Sequence, residues 1–429
     1  MNVVITGDLF AFPHGMAATS RVHAIARGLR QNGADVAVLS LKRSDGTSRS
    51  PYGNYDPHGV SLGDVVYGYP LQRQEAIGPA TLWRRLEVKV RSRIGRPPSG
   101  RTPNGMPVRQ LLTASANDAF SGETIDGIIV YTRRADLLEE VTAAARRLGA
   151  VVLLEPTEAL VPPRIHEPEI DRYTRMAVRR CDGIDAVSEH LGSWWVEHGL
   201  PLARLTVGQG IVDLAPFESD TGSIDVNDRT ITYVGNLTSQ EAVRVISVYA
   251  SVRREVPQAV LQMLGGTGDS RRDADVRAAL SERASDLGCS EGVEFRGRVS
   301  RDELISALCS STVLLLPRDV DEFTQAAFPN KLAEYLASGR PVVATAVGDI
   351  PRVLEDRKTA YLVPPHDEAA IAGAVVRALS CTEEADAVGR EGRLLAMSVF
   401  DCRVGGARLI RHIESLRGRC GPLRRITHR

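Results

Sequence analysis

ESDTGSIDVNDRTITYVG, residues 218–235, changes character two-thirds of the way along. Residues 218–229 are polar, rich in Asp, Ser and Gly, and have no periodic apolar position, which is the composition of a linker. TITYVG then alternates β-branched and aromatic residues up to a glycine, the pattern of a strand. A strand that begins afresh near the middle of a 429-residue chain splits the chain in two. The length agrees, because one hydrophobic core rarely extends beyond about 250–300 residues.

Outward from this junction, both halves alternate strand and helix. Downstream come a helical pattern over 241–255, AVLQMLGG (259–266), a helix over 273–287, VEFRG (293–297), a helix over 301–309, TVLLLP (312–317), a helix in FPNKLAEYLASG (328–339), and PVVAT (341–345). Upstream, NVVIT opens the chain, a helix runs from about residue 18 to 30, and DVAVLSL (35–41) follows. IDGIIVY (125–131), a helix over 135–148, AVVLLEP (150–156), and GIDAVSEHLGSWWVEHGL (183–200) continue the series. Strands separated by helices make parallel sheets with helices on both faces, and such sheets bind ligands beyond the carboxyl ends of their strands. Residues from about 42 to 109 read as an irregular insertion. Trp194 and Trp195 read as core residues.

The bulk properties limit the possible functions. The chain has 53 basic and 53 acidic residues, so no net field draws it to nucleic acid. Six cysteines without C-x-x-C spacing argue against a zinc site or a disulfide framework and suit a reducing cytoplasm. The sequence shows no secretory signal pattern and no 18-residue apolar run. The segment 81–101, TLWRRLEVKVRSRIGRPPSGR, interleaves basic with apolar residues. It reads either as a solvated insertion or as a peripheral contact with an anionic membrane surface.

The helix in FPNKLAEYLASG has a lysine in its first turn, where the dipole favours anions. Either Lys331 pairs with Glu334 at i, i+3, or it meets an external anion such as phosphate at the helix N-terminus. Arg318, projected from a strand end by Pro317, offers the same choice between a loop pair with Asp319, Asp321 or Glu322 and a phosphate clamp. Glu334 lies one turn after Lys331 on the same face and has enough acceptor sites for two ribose hydroxyls. Gly265 and Gly266 fit a phosphate loop or a plain tight turn.

FPNKLAEYLASGRPVVATAVGDIPRVLEDRKTAYLVPPHD (328–367) resembles the C-terminal signature of family 4 retaining glycosyltransferases. The resemblance extends to TYVGN, LGGTGD, VEFRGRVSRDELISAL and LTVGQGIVDLAPF, and in outline to VVITG, a glycine loop at Gly15, and RVHAIARGLRQNGADVAVLSL. It implies the GT-B fold: two doubly wound Rossmann-like α/β domains facing a cleft. Residues 1–217 would receive the acceptor and 218–386 the nucleotide sugar. A helix within 387–416 would return to the first domain, leaving a basic tail at 417–429.

By the same resemblance, Glu334 holds the ribose and backbone groups at Arg298 and Val299 read the base. Gly235, Asn236, Gly265, Gly266, Phe328, Pro329 and Asn330 line the donor site. Gly348, Asp349 and Ile350 lie near the diphosphate and sugar, and His14, Gly15 and Met16 form the acceptor and phosphate loop. Two departures stand out. Asn236 and Gln240 or Glu241 occupy places where many members have Arg and Lys, and Ala326 replaces the first of the usual glutamates. PRDVDEFTQAAFPNKLAEYLASG (317–339) instead resembles a bacterial subset in which Arg318 and Lys331 would supply positive charge and Glu322 and Thr324 would meet the sugar.

The implied activity is transfer of a sugar from a nucleoside diphosphate, expected to be UDP, to an acceptor hydroxyl with retained configuration. Arg318, Lys331 and Glu322 are the expected catalytic residues, with no cofactor and no metal. The partners implied are the donor and a glycan, lipid-linked or small-molecule acceptor, with no nucleic acid. The alternatives are a nucleotide-sugar epimerase or hydrolase of the same fold, or a non-catalytic nucleotide-sugar-binding protein. Weaker acceptor-side candidates are His23, Glu155 and Glu158.

Overall fold

The computed structural model describes residues 1–10, 17–41, 60–62, 65–68, 108–156, 167–218, 229–267 and 270–419. The loop His14–Gly15–Met16, residue Glu158, the basic segment 81–101 and the tail beyond 419 fall outside them.

The first domain is built on an eight-stranded sheet. Its strands are β1 (Asn2–Gly7), β2 (Asp35–Ser40), β3 (Val60–Leu62), β4 (Val65–Gly68), β5 (Gly127–Tyr131), β6 (Val151–Leu154), β7 (Gly183–Ala186) and β8 (Leu205–Val207). They lie in the order β3-β4-β2-β1-β5-β6-β7-β8, all parallel except β3 against β4. β1, β5, β6 and β7 are buried along their whole length, as expected of strands covered on both faces. β3 and β4 come from the stretch that the sequence presents as irregular. They are too short for periodicity to signal, and they extend the edge of the sheet. The helix Val108–Phe120 also begins at the end of that stretch.

The second domain has six parallel strands: β9 (Thr230–Gly235), β10 (Val260–Gly265), β11 (Val293–Gly297), β12 (Val313–Leu316), β13 (Val342–Thr345) and β14 (Tyr361–Val363). Their order is β11-β10-β9-β12-β13-β14. The strand order reverses between β9 and β12, so the loops after these two strands splay apart and leave a crevice. The helices are locally specified. Arg301–Ser310, for example, starts with a reciprocal capping box between Ser300 and Glu303.

Two chain crossings join the domains side by side. Val212 pairs with Asp401 in an isolated parallel bridge, with Val212 N donating to Phe400 O at 2.8 Å and Cys402 N to Val212 O at 2.9 Å. The last helix, Cys402–Arg419, then packs on Ala17–Gln31 of the first domain. The contact is backbone to backbone: a Cβ at Gly28 would lie 1.9 Å from Cys402 O, so no larger residue fits. Among the described residues no helix is long and apolar enough to cross a membrane.

Candidate functional site

The crevice between β9 and β12 gathers most of the second-domain residues singled out from the sequence. β9 ends at Gly235, which must lack a side chain, because a Cβ there would stand 2.3 Å from the Tyr233 hydroxyl folded beneath it. Asn236 follows, exposed, with its side-chain oxygen accepting from Thr238 N at 3.1 Å and Thr238 Oγ1 at 2.9 Å. This local turn leads to Ser239, which caps the helix Gln240–Glu255. Glu241 stands in the first turn of that helix, and the Tyr233 hydroxyl donates to its Oε2 at 3.5 Å. Gly265 ends β10 against the carbonyl of Gly235, and Gly266 precedes a loop held by Thr267 N donating to Asp273 Oδ1 at 2.5 Å. Gly265 allows close packing of the strand ends, and a Cβ at Gly266 would meet the Asp273 carboxylate at 2.9 Å.

Across the switch point, Arg318 leaves β12 only 7% exposed, and its backbone carbonyl accepts from Thr345 Oγ1 at 2.8 Å. Its guanidinium donates to Ala327 O at 3.4 Å. The loop pair that the sequence allowed is not made. Asp319 instead meets Arg244 and His366, and Asp321 caps the helix Glu322–Ala326 by accepting from Thr324 N at 2.6 Å. The Thr324 hydroxyl is spent on the same loop, accepting from Asp321 N and donating to Asp319 O. Glu322 is exposed at the start of that helix.

The helix Asn330–Ala337 carries Lys331 at its second position, and Pro329 is the N-cap rather than the first helical residue. Lys331 is half-buried, with Nζ 5.8 Å from the centre of the Tyr233 ring. Burial lowers its pKa; the charge of Glu241 opposes that shift, and that of Arg318 adds to it. Burial likewise lowers the pKa of Arg318, again against Glu241. Among the described residues neither cation has a carboxylate within salt-bridge distance, and in particular Lys331 does not pair with Glu334. Glu334 is engaged by Arg301, whose Nη1 lies 2.5 Å from Oε1. A buried hydroxyl fixes this helix to the sheet, with Val234 N donating to Tyr335 Oη at 2.8 Å.

Four predicted residues have plainly structural surroundings or lie apart. Phe328 is buried against Phe400, ring centres 5.4 Å apart, at the chain crossing. Arg298 and Val299 lie on the turn after β11, the arginine exposed. Asn330 faces the first domain, where its Oδ1 accepts from Arg21 Nη1 at 3.3 Å.

Arg21 is the centre of a buried network that sequence reading missed. Its Nε donates to Glu155 Oε1 at 2.8 Å. Burial pushes the Glu155 carboxyl up to about 8, against the pull of Arg21 and with the help of neighbouring Asp185. Burial would also raise Asp185, but Arg408 overrides it and holds that carboxyl below its usual value. Glu155 is thus a buried internal acid. His23, on the same helix as Arg21, has its pKa lowered by burial despite Asp213.

Further interdomain bonds flank the cleft. Ser188 Oγ donates to Ala326 O at 2.6 Å, and the 4%-exposed Asp349 accepts at Oδ2 from Glu189 N at 2.7 Å and Gln209 Nε2 at 3.1 Å. Beside them opens a cavity of about 430 Å³, with Glu189, His190 and Ser193 on one wall and Gln325, Asp349 and Arg352 on the other. Asp349 therefore ties the domains together. Sequence gave no signal for Arg301, Arg21 or Tyr233, because each acts through a partner distant along the chain. Among the described residues no group of three or more His, Cys, Asp or Glu is placed to hold a metal ion.

This is a two-domain α/β protein with a charged crevice at the switch point of its second sheet. Residues 228–381 match the family model described as glycosyl transferases group 1. A D-inositol 3-phosphate glycosyltransferase of Mycolicibacterium vanbaalenii is 29% identical over 43% of this chain and 40% of its own length. Another, of Acidothermus cellulolyticus, is 23% identical over 69% of this chain and 74% of its own. The GT-B architecture is shared with the Anabaena protein HepE solved in complex with UDP (TM-score 0.66, 14% identity, 97% of this chain and 100% of that one). A sucrose-phosphate synthase of Thermosynechococcus elongatus is similar in the same way (TM-score 0.65, 15% identity, 96% and 99% covered).

Proposed function

We propose that this protein is a retaining hexosyltransferase that moves a sugar from UDP to an acceptor hydroxyl. The observation that carries the reading is a pair of cations at the mouth of the second sheet, the buried Arg318 and the half-buried Lys331, with no salt-bridged carboxylate among the described residues. A buried charge is costly to keep unless something compensates it. A diphosphate beside the N-terminus of Asn330–Ala337 would do so, and Glu334, one turn further on, is within reach of the attached ribose. As the glycosidic bond breaks, negative charge grows on the β-phosphate. Fixed cations in a dry site stabilise that charge more than they stabilise the ground state. In this scheme Arg318 and Lys331 do this work without a metal. Glu322, exposed at the start of the helix Glu322–Ala326, would orient the sugar, and the first domain would present the acceptor across the cleft.

One observation favours a second reading. Asn236 and Glu241 put no positive charge on the β9 side of the crevice, as in a protein that binds a nucleotide sugar without turning it over. UDP release from a panel of UDP-sugars, with and without saccharide acceptors, tests both. Acceptor-dependent release supports transfer. Release without acceptor indicates a hydrolase, and binding of UDP with no release from any sugar indicates the non-catalytic reading. The anomeric signal of the product by NMR checks retention.

A further inference from the structure

Two of the protein's own side chains engage the groups that a nucleotide would need. Arg301 stands at the first position of its helix, 38% exposed, and places one guanidinium nitrogen 2.5 Å from Glu334 Oε1. It also lies 5.9 Å from the centre of the Phe217 ring, at the end of the first crossing between domains. Glu334 has only the acceptor sites of one carboxylate, and a guanidinium donates to the same lone pairs that ribose hydroxyls would use. On the other side of the crevice, Glu241 accepts from the hydroxyl of Tyr233, whose ring carries the Lys331 ammonium. After burial, the charge of Glu241 is the strongest influence on both Lys331 and Arg318. A carboxylate so placed supports the cations as a phosphate would and repels one that approaches.

We propose that Glu241 and Arg301 are internal competitors of the donor: Glu241 stands against the diphosphate at Lys331 and Arg318, and Arg301 stands against the ribose at Glu334. The donor then binds by displacing both. Their effects separate by ligand. Arg301 opposes any nucleoside, whereas Glu241 opposes only one that carries phosphate. Together they set a threshold that a complete nucleoside diphosphate passes and its fragments do not. This inference rests on the nucleotide-sugar reading above.

The test is calorimetric titration of the full chain with UDP, UMP and uridine, for wild type, Glu241→Gln and Arg301→Gln. Glu241→Gln keeps the size of the side chain, Arg301→Gln shortens it and removes the guanidinium, and both leave the helix caps untouched. Glu241→Gln should tighten UDP roughly tenfold, the scale of one charge-assisted contact removed from a competitor, and leave uridine unchanged. Arg301→Gln should tighten all three ligands by a similar factor. Weaker binding of UDP by either variant would make that residue a ligand contact and overturn the inference, as would unchanged affinities. Failure of the folded wild type and both variants to bind any of the three would instead remove the donor reading itself. Circular dichroism of each protein establishes that it is folded.

Discussion

Replacing Lys331 by methionine keeps an unbranched apolar stem and deletes the ammonium, and its consequences run in opposite directions with and without nucleotide. The folded pKa of Lys331 lies below its ordinary 10.5 because burial penalises the charged form. Unfolding is therefore favoured by the protonated lysine at neutral pH, and this cost fades only as pH rises toward 10.5. Lys331→Met should accordingly melt at a higher temperature than wild type when no nucleotide is added. With nucleotide the order reverses. At a UDP concentration about 100 times its Kd, wild type gains about 2.7 kcal/mol. If Lys331 contributes about 2 kcal/mol to phosphate binding, as hydrogen bonds to charged groups commonly do, Kd rises about 30-fold on its removal. The gain at the same concentration then falls to about 0.9 kcal/mol. For a domain of this size one kcal/mol corresponds to about 2–4 °C, so a shift of about 5–10 °C shrinks to about 2–4 °C. Thermal denaturation with and without UDP measures both effects. A variant that melts lower without nucleotide and keeps the full UDP shift would refute the phosphate role of Lys331.

Three further outcomes follow from the same geometry. Arg318→Ala should lower kcat by about 10²–10³ with a smaller change in UDP affinity, and wild-type turnover in the folded variant would reduce Arg318 to a loop residue. Glu334→Gln should weaken UDP by about 1–3 kcal/mol while the fold survives, and calorimetric titration reads this directly. The Glu155 carboxyl, raised from 4.5 to about 8, keeps its proton in the folded state while the unfolded chain loses it. The folded state binds more protons between those two values, so stability falls as pH rises through that window. Glu155→Gln should flatten this fall, and melting temperatures of both proteins from pH 4.5 to 8.5 show whether the difference between them grows with pH.

The sequence by itself determined the two-domain α/β plan. The polar ESDTGSIDVNDR falls in the sequence between the last strand of the first sheet and the first strand of the second, and the buried strands are continuous apolar runs that only a sheet covered on both faces accommodates. It also placed Lys331 and Glu334 on one helical face and Arg318 at a strand end, since helix periodicity and a proline stop are local properties. Partner choice was decided by the tertiary structure. Local spacing offers Glu334 to Lys331, yet Arg301, from the start of the helix after a different strand, takes it. Asp319 is the immediate neighbour of Arg318 and turns instead to Arg244 and His366. The buried chain Asn330–Arg21–Glu155 joins residues 309 and 134 positions apart. Charges interact through space, and the contacts of a buried ion are fixed by which strand ends the sheet order brings together. No periodicity in the chain encodes that order.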